Sequence, residues 1–257
     1  MNTLIVDIET APHRVYAWGL WGQDISTNQI VEPGYTLCWG AKWLGKPKVF
    51  FERVSGAPGT REFKGSFRRM VEAAHALLEE ADAVIHYNGN KFDMPTLKKE
   101  FLMLGLDPPS PQTQIDLLRV VKKQFRFPSN KLDYVARALG LGGKVKHMGM
   151  DLWKQCMAGD ENAWRVMRRY NIRDVRMLEP LYERLVPWIQ PHPNMGLYMD
   201  SASPVCPNCG SSSIIKKGLT RTATQAYQRY KCRACGKWSR GRRNVTQNKE
   251  AILAGVA

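Results

Sequence analysis

No stretch of this 257-residue chain approaches the roughly 20 consecutive apolar residues that a bilayer-spanning helix needs. A membrane partner is therefore not expected. The opening residues MNTLIVDIET lack the basic segment, long apolar core and small-residue cleavage site of a secretory leader. A soluble, cytoplasmic protein is expected. Internal repeats are absent. His75, His86 and His147 lack metal-ligand spacing and are read as structural. Acidic residues almost disappear toward the end. Residues 204–257 hold 11 Lys and Arg against one acid, Glu250, whereas residues 1–203 hold 27 against 22. Most of the formal net charge of +15 thus sits in the last fifth of the chain. Such an excess favours a polyanionic partner, nucleic acid first.

The rest of the composition is ordinary. With 44% hydrophobic and 24% charged residues, wholesale disorder is not expected, and the length suits one domain plus a small appendage. Cysteine is as unevenly placed as charge. Cys38 and Cys156 stand alone, while Cys206, Cys209, Cys232 and Cys235 form two CxxC pairs. Both shifts put a boundary near 190–204, a segment punctuated by Pro191, Pro193 and Pro204. The expected organisation is a domain over 1–190, a linker over 191–203, a small module over 204–243 and a frayed tail over 244–257.

Apolar strands are expected from Leu4 through Ile8, over Tyr35–Trp43 and over Val49–Val54, with a short buried strand at Ala83–Ile85 and another at Ile115–Leu118. Helical spacing marks Phe67–Ala81, 95–104, 119–124, Lys131–Leu139 and about 161–179, where Asp160 is a natural N-cap. Pro180 then kinks that helix or starts another. The alternation of strands and helices argues for an α/β sheet covered by helices.

Asp7 and Glu9 lie at i and i+2 of the first strand, so both point to one face of the sheet. Two adjacent carboxylates repel each other unless a cation neutralises them, and a hard divalent ion suits oxygen ligands. A lone pair of this kind more often marks a solvated strand end. Two further acids shift the balance. Asp93 follows a strand and the polar turn Asn88-Gly89-Asn90, at the C-terminal strand end where open α/β sheets place their sites. Asp174 falls on the apolar stripe Ala163, Val166, Met167, Tyr170, Met177, Leu178 and Leu181 of the last helix, one turn after Tyr170. Each has a bland alternative, a helix cap for Asp93 and an arginine pair for Asp174.

Asp-x-Glu on strand one, Asn88-x-x-x-Phe92-Asp93 and Tyr170-x-x-x-Asp174 together resemble the three motifs of the DEDD exonuclease superfamily. The tyrosine branch is indicated, because position 169, where the other branch has histidine, is Arg169. The run from Asn130-Lys131 to Leu139-Gly140 also resembles the proofreading exonuclease domains of family B polymerases, and the whole of residues 1–188 resembles phage-type 3′–5′ exonucleases. The resemblance implies an RNase H-like fold, an α/β five-stranded mixed sheet flanked by helices. It implies two Mg²⁺ or Mn²⁺ ions held by Asp7, Glu9, Asp93 and Asp174, with Tyr170 orienting the attacking water. A phosphodiester hydrolase releasing nucleoside 5′-monophosphates from DNA ends, single-stranded rather than duplex and DNA rather than RNA, is the expected activity. A polymerase or another replication protein is the expected protein partner.

Tyr16, Trp18 and Trp21 follow the first strand in a glycine-containing loop, where they could stack on unpaired bases. Trp39 and Trp43 alternate in a strand-like segment and are read as core. Asn88, Asn130 and Lys131 are candidate nucleic-acid contacts from the motif segments.

The two CxxC pairs stand 22 residues apart, and Gly210 and Gly236 let the backbone turn back after each. Two thiolate knuckles complete a tetrahedron around one structural Zn²⁺. The stretch Tyr227–Cys232 resembles zinc ribbons. Lys216, Lys217, Arg229, Lys231, Trp238 and Arg240 are its candidate nucleic-acid contacts. Two other readings keep parts of this account, a structure-selective endonuclease on the same fold and a non-catalytic nucleic-acid-binding regulator. Clustered carboxylates disfavour the second.

Overall fold

The structure is a computed structural model that describes residues 1–143 and 148–255. His147 lies outside the described residues. They divide into two compact units, Asn2–Leu181 and a second from Tyr182 onward. The first contains β1 (Thr3–Thr10), β2 (Arg14–Val15), β3 (Ile30–Glu32), β4 (Thr36–Trp43), β5 (Val49–Arg53), α1 (Arg61–Glu79), β6 (Ala83–His86), α2 (Asp93–Met103), β7 (Thr113–Asp116), α3 (Leu117–Gln124), α4 (Leu132–Ala138) and α5 (Met150–Met157). The division falls in the last turn of α6 (Glu161–Leu185).

Five strands form one sheet in the order β5-β4-β1-β6-β7. β1 runs antiparallel to β4 and parallel to β6, so the sheet is mixed, as the resemblance implied. The alternation of β1 explains its central place. Leu4, Val6 and Ile8 enter the main core, while Asp7 and Glu9 remain half-buried on the other face. Trp39 is buried in that core, and its indole N–H donates to the Met70 carbonyl at 2.8 Å.

Several boundaries move for identifiable reasons. Thr60 accepts a hydrogen bond from the Phe63 N–H, so α1 begins before the apolar spacing becomes visible. Asp116 ends β7 and caps α3 by accepting from Leu118 and Arg119, which makes the strand expected at Ile115–Leu118 stop two residues early. Asp160 accepts from Asn162 and Ala163 and starts α6 as expected. Pro180 lies inside α6, which continues to Leu185. Two elements were not anticipated, α5 and the two-stranded β2–β3 sheet.

The second unit has a three-stranded antiparallel sheet, ordered β10-β9-β8, from β8 (Ile214–Arg221), β9 (Ala226–Cys232) and β10 (Trp238–Asn244). Beyond β10, the Val245 N–H still bonds Ala226, and the Thr246 hydroxyl accepts from Ala226.

Helix α6 approaches the sheet where the sheet offers no side chain. Gly40 of β4 pairs across from Asp7, and a Cβ on Gly40 would stand 2.2 Å from Asn171 Oδ1 and 3.1 Å from Val175 Cγ2. The helix is also fastened by the pairing of Lys42 with Glu179, which accepts as well from the Gly45 N–H at 2.6 Å. Gly40→Ala should therefore overpack the site, lowering unfolding free energy by about 1–3 kcal/mol in chemical denaturation. Combining it with Asn171→Ala should recover part of that loss, because the two sites couple. Unchanged stability of Gly40→Ala would remove the close approach as a constraint.

Candidate functional site

The parallel ladder between β1 and β6 ends at Ile5 and Ile85, yet β1 continues to Thr10. A crevice therefore opens beside the C-terminal end of β1, where its two neighbours run in opposite senses. The Ile8 N–H, beyond the ladder, donates to Asp93 Oδ1 at 3.1 Å. This bond seats the Asp93 carboxyl against the residue between Asp7 and Glu9. Asp93 is buried, and burial pushes its pKa up to about 7 although hydrogen bonds from the Ile8 and Asp93 backbones oppose the rise. The negative charge of Asp116 raises it further.

The turn that delivers Asp93 is locked from below. Asn88 adopts a left-handed conformation at φ 71°, which asparagine tolerates. Its N–H donates to Asp116 Oδ1 at 3.0 Å, the same oxygen that caps α3. Gly89 donates to His86 Nδ1, which makes Nε2 the protonated nitrogen facing Gln114 Oε1 at 3.0 Å. A Cβ on Gly89 would fall 2.4 Å from the His86 ring, so the turn needs glycine there. His86 is fully buried, and desolvation lowers its pKa despite the neighbouring Asp116 charge. It serves structure, as the sequence suggested.

From the other side, the Asn171 amide donates to Asp7 twice, to its carboxylate at 2.9 Å and to its main-chain carbonyl at 3.1 Å. Both partners are acceptors, which fixes the amide's orientation. Asp174 sits one turn further along the same helix face and is only 1% exposed. Tyr170 is buried, and Trp153 of α5 packs edge-on against its ring at 6.1 Å between centroids. Asp7 and Glu9 make themselves felt at Cys38, whose pKa is raised well above normal first by burial and then by both carboxylates.

The structure thus brings β1, the start of α2 and the middle of α6 to one crevice. Asn88 belongs to the same turn. Asn130 and Lys131 lie at the start of α4, where the Asn130 carbonyl accepts from the Tyr87 hydroxyl at 2.6 Å and Lys131 is exposed. Tyr16, Trp18 and Trp21 occupy the segment between β2 and β3, with Trp18 96% and Trp21 88% exposed. Three contributors escaped the sequence reading: Asn171, Gly40 and Asp116. Asn171 had a signal, a polar residue on the stripe of Met167, Asp174 and Leu178. Gly40 and Asp116 had none.

In the second unit, Cys206, Cys209, Cys232 and Cys235 place their sulfurs within 4.8 Å of one another. Cys206 and Cys235 are 3.6 Å apart, and Cys209 and Cys232 3.7 Å. A disulfide would need about 2.05 Å. Four thiolates about 2.3 Å from one zinc would stand about 3.8 Å apart, so the set fits that ion. Gly210 and Gly236 take φ of 74° and 83° and bond back to the Cys206 and Cys232 carbonyls. Burial opposes ionisation of Cys232, but hydrogen bonds from the Cys235 and Ala234 backbones and from the Cys209 and Cys235 side chains together outweigh it and bring its pKa down to about 7. Arg229, Lys231, Trp238 and Arg240 lie on β9 and β10, and Lys216 and Lys217 on β8. Among the described residues no helix is long and apolar enough to cross a membrane.

Comparison with known proteins places these features in a family context. Residues 59–186 match the RNase_H_2 family of the RNase_H superfamily. The chain is 25% identical over 208 residues to a DNA polymerase of Pyrococcus horikoshii, covering 73% of this chain and 16% of the polymerase. It is 26% identical over 160 residues to a DNA polymerase of Pyrococcus glycovorans, covering 54% of this chain and 19% of that protein. It therefore spans less than a fifth of these curated relatives. The solved family B DNA polymerase of Pyrobaculum calidifontis superposes with a TM-score of 0.53 at 19% identity, over 72% of this chain and 24% of that one. The mixed sheet, its flanking helices and the matched segment show that this chain has an RNase H-like fold.

Proposed function

We propose that this protein is a metal-dependent 3′–5′ exonuclease of the tyrosine DEDD type, acting on single-stranded DNA ends. The observation that carries the reading is the Ile8–Asp93 hydrogen bond, which seats a third carboxylate against the strand bearing Asp7 and Glu9. Three elements then supply carboxylate oxygens, donors that suit Mg²⁺ or Mn²⁺. Buried Asp93, with a pKa near 7, fits the same conclusion, because a divalent cation would restore its charge. Asp7, Glu9, Asp93 and Asp174 would hold the ions. Bound there, the ions would lower the pKa of the attacking water and stabilise the departing 3′ oxygen.

The protein's own groups do the positioning. Asn171 holds Asp7 against rotation. Asp116 and Asn88 hold the turn before Asp93. Tyr170, steadied by Trp153, orients the water. The DNA polymerase relatives favour DNA over RNA as substrate. The second unit is a zinc ribbon, with the domain over 1–190, the linker 191–203 and the ribbon 204–243.

Digestion of oligonucleotides labelled at either end tests the reading. With Mg²⁺ or Mn²⁺, a 5′-labelled strand should shorten stepwise while a 3′ label is released at once as mononucleotide. Internal cuts from the first time point would instead favour an endonuclease. Asp7→Asn or Asp174→Asn should abolish cleavage and leave the thermal transition unchanged or higher, since carboxylate repulsion is relieved. Normal turnover by either variant removes the assignment. Tyr170→Phe should slow cleavage about 10- to 1,000-fold with the same metal requirement, the loss of a positioning hydroxyl. Wild-type rates in that variant would discard the role of the tyrosine alone.

The raised pKa gives a pH test that needs no turnover. Asp93 is protonated below about 7 and must ionise to ligate a cation, so binding releases a proton. Apparent Mn²⁺ affinity, measured by calorimetry, should be about tenfold weaker at pH 6 than at pH 8. An affinity independent of pH across that window would separate Asp93 from the metal.

A further inference from the structure

Alternate residues of β9 share a face of the second unit's sheet, which puts Tyr227, Arg229 and Lys231 together. In β10, Trp238 pairs in register with Lys231, and Arg240 with Arg229, so these join the same face. The side chains are interleaved. The Arg229 guanidinium lies 4.6 Å from the Trp238 ring centre and the Lys231 ammonium 5.6 Å, while the Arg240 guanidinium lies 4.1 Å from that of Tyr227. Cations held over rings are arranged before any partner arrives. Residues 204–257 contain one acid, Glu250, so ion pairing within that stretch can offset little of this charge.

Trp238 also borders a groove of about 440 Å³, shared with Trp188, Gln190 and Gly236. Trp188 is 50% exposed and Trp238 42%. A tryptophan that is neither core nor fully solvated, standing between a groove and a cationic face, suits a flat partner that is apolar on its faces and anionic along its edge. A solvated basic surface would need neither the groove nor the ring.

We propose that this groove and face bind single-stranded nucleic acid, with one unpaired base stacked on Trp238 and the neighbouring phosphates lying on Arg229, Lys231 and Arg240. The inference rests on the reading of the chain as acting on nucleic acid, and it does not need cleavage at the carboxylate crevice. Duplex is disfavoured, because a base must leave its own stack to occupy the groove.

The test measures affinity of the full chain for a labelled oligodeoxythymidylate across a salt series, with Asp7→Asn present throughout to protect the probe. Zinc content of each variant checks that the module is folded. Trp238→Ala should weaken binding about 5- to 150-fold, the range that stacking of one base commands, and leave the salt slope unchanged. Trp238→Phe should restore most of the loss. Arg229→Gln combined with Arg240→Gln should flatten the slope of log affinity against log salt by about 1.4, two single-strand phosphates. Wild-type affinity and slope in zinc-loaded variants would overturn the proposal. So would a Trp238→Ala loss matched on poly-glutamate, which has charge but no base and would point to an acidic protein instead. If the wild type cleaves nothing while these losses persist, the cleavage reading falls and the binding site stands.

Discussion

Carboxylates gathered at the end of a central strand impose the constraint that most of the first unit answers. Each loses hydration on entering the crevice, and each repels its neighbours. The fold offsets this with directed donors. Ile8 donates its backbone N–H to Asp93, and Asn171 donates its amide to Asp7. Both donors depend on backbone placement. The Ile8 N–H is available because the parallel ladder stops at Ile5. The Asn171 amide reaches Asp7 because Gly40 leaves the sheet bare beneath α6. Asp116 solves its own burial by three backbone N–H bonds and in doing so fixes Asn88, so one carboxylate steadies the turn that delivers another, Asp93.

The second unit solves a different problem. Its strands leave most side chains half-buried or exposed, and β8 has no fully buried residue. A unit this small buries too little apolar surface to hold itself together comfortably, which is the usual setting for a metal staple. The cysteine cluster lies at the ends of the strands and leaves the sheet face free. That freedom lets the face carry cations and rings, where a hydrophobic core would otherwise claim both sides.

The sheet was legible because its strands are apolar runs bounded by turns, and α6 because its stripe persists for about five turns with a cap at Asp160. The acids were legible because a carboxylate on an apolar element breaks a pattern, as Asp7 does in β1 and Asp174 does in α6. Tyr170 needed the family resemblance, since a tyrosine on a buried stripe breaks nothing. Helix α5 went unseen because its eight residues follow Gly149, which offers no side-chain cap, and carry few turns of periodicity. Gly40 could not be read at all. Its requirement comes from a helix more than 130 residues later in the chain, and only the assembled fold shows the 2.2 Å approach.

A site held by directed hydrogen bonds behaves differently from one held by packing. Asp93 is seated by hydrogen bonds from the Ile8 and Asp93 backbones, and Asp7 accepts from the Asn171 amide. Fuller satisfaction within the protein would bring greater stability without metal and weaker binding of it. The raised pKa of Asp93 records its burial. Because its folded-state pKa lies above its ordinary value, its ionisation opposes folding as pH rises from the carboxylate range through about 7. A cation held as proposed would reverse that sign, since it would bind the ionised form. The stabilisation that such binding would bring is therefore expected to be largest where ionised Asp93 opposes folding most, at neutral pH and above.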